Sequence, residues 1–214
     1  MTLARTERAG LAADLSRLGP DAPTLCEGWT ARDLLSHVLL RENDPLAVPG
    51  MAWDLFDDVT ASRQARLEDS ASFPELVARF AAGPKPWSVF RFPGMDRAAN
   101  SMEYFIHHED LLRAQPGWTR RDLGHATQTG LARIVSRSGR LLLRRSPVGV
   151  RAELTGMDGD LAKLTLRPGQ RIVTVVGAPS EVLLHMAGRK EVADVEVLGE
   201  KDAVEAFVDT DCGL

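Results

Sequence analysis

Ser101-Met-Glu-Tyr-Phe-Ile-His-His-Glu-Asp-Leu-Leu-Arg-Ala114 is the stretch around which the chain is organised. At about 100° per residue, a helix places Glu103, His107 and Asp110 within about 60° of one another, because positions i, i+4 and i+7 share a stripe. Ala99, Ile106, Leu111 and Ala114 flank that stripe, so two carboxylates and an imidazole point at an apolar interior. An unpaired charge there would cost on the order of several kcal/mol. A divalent cation compensates a Glu-x-x-x-His pair directly, accepting both groups at about 2.0–2.2 Å if it is zinc.

Two protein ligands rarely hold a catalytic metal, and the best third candidate is His37 in Leu25-Cys-Glu-Gly-Trp-Thr-Ala-Arg-Asp-Leu-Leu-Ser-His37. Thr30 followed by Asp33 resembles a capping box with Asp in place of Glu or Gln, which starts a helix at Ala31. On that helix His37 lies between Leu34 and Leu40 and faces inward. His37, Glu103 and His107 thus form a candidate facial His/Glu/His set, with Asp110 as an outer partner of the ligands. His/Glu/His accepts zinc, the first choice, and also nickel, iron or manganese.

The 214 residues allow one large or two small domains, and 44% hydrophobic with 26% charged content is that of a soluble globular chain. No run approaches the roughly 18 apolar residues of a membrane span, and the first residues lack a secretory signal, so a cytoplasmic location is expected. A net charge of −4 gives no overall attraction to nucleic acid. Arg133, Arg137, Arg140, Arg144 and Arg145 recur at helical spacing and read as a solvated face. Two cysteines, Cys26 and Cys212, cannot staple the chain, although Cys26 precedes the His37 helix and could approach a metal. Arginine outnumbers lysine 22 to 4, a bias that points to a GC-rich genome.

In chain order, residues 3–18 read as an amphipathic helix ended by Gly19-Pro20, and the His37 helix runs to about Asn43. Residues 46–68, with Trp53 and Phe56, hold a less regular helical stretch. Residues 72–82 form a helix capped by Ser72 with Pro74 in its first turn. A Pro- and Gly-rich loop over 83–94 carries Trp87, Phe90 and Phe92, which pack or fold over a pocket. The candidate ligand helix spans about 97–115. A long helix after Asp122 follows, with Leu131, Ile134, Val135, Leu141 and Leu142 as its apolar positions.

Beyond Ser146-Pro147 the texture changes. Val148–Leu154, Leu161–Leu166, Arg171–Val176 and Asp194–Leu198 read as strands, with a helix over Ala178–Gly188 capped by Ser180 and a last helix over Lys201–Val208. The expected fold class is α+β: a four-helix bundle over 1–145 followed by a small α+β domain over 146–214.

The segment from Gly28-Trp29-Thr30 through Asp33-Leu34-Leu35 to His37, the segment Glu103-x-x-x-His107-x-x-Asp110-Leu111, and the order of parts resemble the DinB/YfiT-like superfamily. The likeness is to its actinobacterial branch typified by mycothiol-dependent maleylpyruvate isomerase, and it covers nearly the full chain. The resemblance implies a DinB-like bundle with an appended domain similar to sterol-carrier proteins, and metal ligands at His37, Glu103 and His107. It also implies a low-molecular-weight thiol, mycothiol, as cosubstrate, and a catalytic arginine in the small domain, for which Arg189 is the candidate beside Asp110. His108, beside the ligand His107 and about 100° away on the wheel, reads as an outer-face or second-layer residue.

Three function classes stay open. The first is a metal-dependent thiol transferase or isomerase acting on a small electrophile. The second is a metal-dependent hydrolase with Asp110 or Glu109 as base. The third is a non-catalytic metal-binding or stress-sensing module. His125 and His185 read as non-ligands. The expected partners are a small-molecule substrate and the thiol, with no nucleic acid and no membrane. A homodimer is compatible with the pattern but not fixed by it.

Overall fold

Polar side chains start the helices where the sequence places them. Thr2 accepts from the Arg5 amide (3.4 Å) at the head of α1 (Leu3–Leu18). Thr30 donates its amide and its hydroxyl to Asp33 (2.8 and 2.5 Å) as α2 (Ala31–Asn43) begins, so the shorter acid fills the reciprocal role of a capping-box Glu. Ser72 makes the same pair of bonds to Glu75 (2.8 and 2.7 Å) ahead of α4 (Phe73–Ala82). α3 (Asp57–Asp69) and α5 (Ser101–Arg113) complete the first set of helices.

The computed structural model describes residues 2–43, 57–84 and 100–210. Trp53, Phe56, Trp87, Phe90 and Phe92 lie outside the described residues, as do Cys212 and residues 97–99 of the expected ligand helix. No helix among the described residues is long and apolar enough to cross a membrane.

The architecture is α+β, with two compact units, Met1–Arg120 and Arg121–Leu214. In the first, α1, α2, α4 and α5 enclose a core of Leu11, Leu15, Leu34, Leu35, Leu76, Phe80, Tyr104 and Leu111, all removed from solvent. Leu67 of α3 packs on the same cluster. A polar knot runs through this core. Arg8 donates to Glu42 (2.9 Å), to the Phe80 carbonyl (2.8 Å) and to the Tyr104 hydroxyl, which in turn donates to Glu42. The guanidinium also lies 5.0 Å from the centre of the Phe80 ring and 4.6 Å from that of Tyr104. Four helices are thereby tied through one buried arginine.

The unit boundary falls earlier than the expected 145/146. The long helix α6 (His125–Leu142) packs in the second unit, against a four-stranded sheet. Gly139 permits this: a Cβ there would come within 2.9 Å of Leu166, so the helix can approach the sheet only without one. Leu131, Ile134, Val135 and Leu142 form the buried stripe, whereas Leu141, expected among them, is 54% exposed because it falls off that stripe. The arginines Arg133, Arg137, Arg140, Arg144 and Arg145 are all exposed, as expected.

The sheet comprises β1 (Gly149–Leu154), β2 (Lys163–Arg167), β3 (Ile172–Gly177) and β4 (Val195–Leu198) in the order β2-β1-β3-β4. β1 pairs antiparallel with β2 and parallel with β3, Gly149 opposite Ile172 through Leu154 opposite Gly177. The turn at Arg167-Pro-Gly169 therefore does not close a hairpin onto β3. Val150, Ala152 and Leu154 face the core with Val173 and Val175, the period-two alternation of strands covered on one face. β2 starts after a 3₁₀ turn at Gly159–Leu161, which takes up the expected first residue of that strand. α7 (Pro179–Met186) and α8 (Lys201–Val208) complete the unit. Ser180, expected as the cap of α7, lies one residue inside it. Pro179 opens the helix, and the Ser180 hydroxyl accepts from Gln128 (3.1 Å).

Two predictions test this packing. A Cβ on Gly10 would meet His108 Cε1 at 2.7 Å, and that ring is held between Glu7 and Asp14. Gly10→Ala should therefore destabilise the protein by about 1–3 kcal/mol, although alanine ordinarily stabilises a helix by about 1 kcal/mol over glycine. The midpoint of urea unfolding reads the sign. His185 is buried, stacks on Phe207 and finds no partner for Nδ1, and burial, with Lys190 adding repulsion, holds its pKa down to about 4. The unfolded chain takes up a proton there as pH falls below about 6.5 and the folded one does not, so stability drains away between about pH 6.5 and 4. His185→Leu should reduce the loss measured between pH 7 and 4.5 by about 2 kcal/mol.

Candidate metal centre

Two helices bring the ligand candidates together. α2 carries His37, half-buried between Trp29, with ring centres 5.0 Å apart, and His107, at 5.1 Å and nearly edge-on. α5 carries Glu103 and His107 one turn apart, with Nε2 of His107 3.5 Å from Oε2 of Glu103. One donor atom from each of His37, Glu103 and His107 lies within 4.8 Å of the other two. Tetrahedral zinc with bonds of about 2.1 Å needs donors about 3.4 Å apart, which is the spacing of Glu103 and His107, and His37 is the candidate third donor.

Asp110 prepares His107 for that role. Nδ1 of His107 lies 3.0 Å from Oδ2 of Asp110. When the ring is neutral, a proton held on Nδ1 by this carboxylate leaves the lone pair on Nε2, the nitrogen that faces Glu103. The Cys26 thiol donates to the same carboxylate oxygen (3.4 Å), and the Leu25 amide donates to the Asp110 backbone carbonyl (3.1 Å). The loop that leads into α2 is thus fastened to α5. Cys26, His107 and Asp110 make a second convergent donor set that shares His107. Its members are hydrogen-bonded to one another through the Asp110 carboxylate.

The electrostatics are balanced within the cluster. Burial, and then the neighbouring His107 charge, hold His37 down to about 3, so its imidazole is neutral. Burial pushes Glu103 up, but the His107 hydrogen bond and Arg41 outweigh it and hold the carboxyl at about 2. Burial likewise opposes a charge on His107, and Asp110, Cys26 and Glu103 overcome it, raising this imidazole well above its ordinary value. Arg41 approaches Oε2 of Glu103 through Nε (3.6 Å) and donates from a terminal nitrogen to Asn100 (2.8 Å). Two cations face two carboxylates.

His108 turns away from the ligand candidates and belongs to neither donor set. Its wheel direction is as read, but that side is not open: the ring is buried against α1, with Nδ1 2.9 Å from Glu7 and Nε2 2.9 Å from Asp14. The signal was present in α1, where Glu7, Gly10 and Asp14 form a carboxylate-gap-carboxylate stripe at spacings of three and four. Glu109 is buried and accepts from Arg113 at 2.5 Å. Arg41 and Asn100 were not singled out from the sequence, although Arg41 falls one turn after His37. Arg189 lies in the second unit after α7, donating to the Ala187 carbonyl (2.6 Å). Among the described residues, the two sets sharing His107 are the places where three His, Cys, Asp or Glu donors converge, and neither includes His125 or His185.

Residues 1–85 match the family model of the mycothiol maleylpyruvate isomerase N-terminal domain, a span that includes His37 but ends before α5. The crystal structure of the mycothiol-dependent maleylpyruvate isomerase superposes with a TM-score of 0.58 at 19% identity, over 91% of this chain and 90% of that one. That of a histidine-to-alanine mutant of the isomerase gives 0.56 at 18% identity, over the same shares. No curated protein matches the chain. At such identities the structural likeness is one of fold. Residues 1–85 thus resemble the N-terminal domain of the mycothiol maleylpyruvate isomerases, and the chain as a whole shares the fold of that isomerase.

Proposed function

We propose that the chain is a metal-dependent enzyme that uses mycothiol, or a closely related low-molecular-weight thiol, to isomerise or conjugate a small electrophile. The observation that carries this reading is the convergence of His37, Glu103 and His107 from two helices, in a fold shared with a mycothiol-dependent isomerase. Three protein ligands leave at least one position of a four-coordinate ion for an exogenous donor. A divalent cation bound there supplies a lowered thiol pKa, so that thiolate is available at neutral pH.

The protein's own groups have distinct tasks in this reading. His37 is neutral and offers a lone pair without first losing a proton. Asp110 keeps the His107 proton on Nδ1 and so orients the ring. Glu103 brings the single carboxylate of the donor set. Arg189, the arginine that the resemblance implies for catalysis, belongs to this reading as an expectation. Thiolate addition to an activated double bond forms one S–C bond and opens the π bond; rotation and expulsion of the thiolate return the isomer. Retention of the adduct, with protonation of the carbon, gives transfer instead.

The hydrolase alternative has less support, because its two candidate bases are engaged: Glu109 with Arg113 and Asp110 with His107 and Cys26. The choice of zinc, a cytoplasmic location and a homodimer belong to this reading as expectations.

Two measurements test it. Elemental analysis of untagged protein should find about one divalent ion per chain, nearly absent in His37→Ala and retained in His108→Ala, whose defect should instead be a lower unfolding midpoint. Equal metal loss in both variants would mean that the ligands are wrongly assigned. Adding mycothiol to cobalt-substituted protein should shift the visible spectrum through a sulfur donor; an unchanged spectrum, or turnover without any thiol, would refute the thiol role.

A further inference from the structure

Arg41 has no place in the ligand set, yet it is built into it. His37 and Arg41 are one turn apart on α2, and Glu103 and His107 are one turn apart on α5, with Asn100 immediately ahead of that helix. The Glu103 oxygen that faces Nε2 of His107 at 3.5 Å also faces Nε of Arg41 at 3.6 Å. The far side of the guanidinium is anchored on Asn100, which is fully buried. Fixing an arginine between a buried amide and a ligand carboxylate places a permanent charge beside the site, since guanidinium does not deprotonate in proteins.

We infer that Arg41 is a positioning residue whose charge weakens the hold of this site on its divalent cation and strengthens its hold on an anionic co-ligand. The inference rests on the metal reading proposed above. Without an ion, Arg41 helps to neutralise Glu103, so the pocket need not collapse or recruit a cation to remain folded. With a divalent ion and neutral imidazoles, the charges of Glu103 and Asp110 cancel those of the ion, and Arg41 leaves one surplus positive charge. An anion completes that balance and a neutral molecule does not. The exogenous ligand selected is therefore a thiolate, carboxylate or similar anion.

The magnitude follows from Coulomb's law. A unit charge about 6 Å from a dication changes affinity by roughly tenfold even with water-like screening, and by more in a drier site. Loss of a merely structural residue would weaken metal and anion binding together. Loss of an electrostatic one moves them in opposite directions, and that contrast is the test.

The full chain, wild type and Arg41→Gln, would be titrated with zinc against a chromophoric chelator, and the cobalt-substituted forms with thiocyanate by visible absorption. Arg41→Gln should bind zinc roughly tenfold more tightly and thiocyanate roughly tenfold more weakly, while Arg41→Lys stays close to wild type in both. Asn100→Asp, which offsets the Arg41 charge without removing it, should move both constants in the same directions as Arg41→Gln, and keeps the test valid if that variant does not fold. Joint weakening of both constants, or no change in either, overturns the role of Arg41 while leaving the metal reading intact. Wild-type protein that takes up no zinc overturns the metal reading and this inference with it.

Discussion

Withdrawal of ionisable groups from water along one helix is the constraint on which the first unit depends. α5 buries Tyr104, His107, His108, Glu109, Asp110 and Arg113 and half-buries Glu103. Each is answered by a specific partner: Glu42 and Arg8 for Tyr104, Arg41 for Glu103, Glu7 and Asp14 for His108, and each other for His107 and Asp110 and for Glu109 and Arg113. Leaving any of these charges unmatched costs on the order of several kcal/mol, which a slipped helix would incur several times over. Apolar packing alone tolerates shifts in register. Ion pairs drawn from α1 and α2 do not, so the polar face of α5 fixes how the bundle closes.

The same constraint shapes the candidate site. A metal centre made of bare ligands would repel itself without its ion. Here the acidic groups have cationic neighbours, and the candidate ligand histidine from α2 is neutral. Asp110 fixes the ring of His107, Arg41 faces Glu103, and His37 packs between the Trp29 and His107 rings. Such preorganisation keeps His37, Glu103 and His107 near one another across two helices.

How much of this was legible in the sequence depends on the range of the interaction. Helix starts at Thr30 and Ser72, the strand positions and the inward direction of Glu103 and His107 follow from local periodicity, whereas the approach of His37 to that pair is a tertiary fact that the pattern only suggests. What covers a face is a long-range fact. The direction of His108 was legible, but not that α1 lies over it. Arg41 and Asn100 are 59 residues apart and carry no shared motif. The apolar stripe of α6 was recognised, but its destination was not: nothing in a stripe states whether a bundle or a sheet will cover it. Leu141 and Ser180 were misread by one step of local geometry, an off-stripe position and a proline that takes the first turn.

The fastening of Leu25 and Cys26 onto Asp110 has a consequence for how this chain can change over evolutionary time. That loop both grips the back of one ligand helix and delivers the other, so its length is a shared dimension of two supports. Single-residue exchanges within it can be absorbed side chain by side chain. An insertion or deletion between Asp21 and Thr30 would displace His37 and release His107 in the same event, which makes this loop, unlike most, intolerant of length variation.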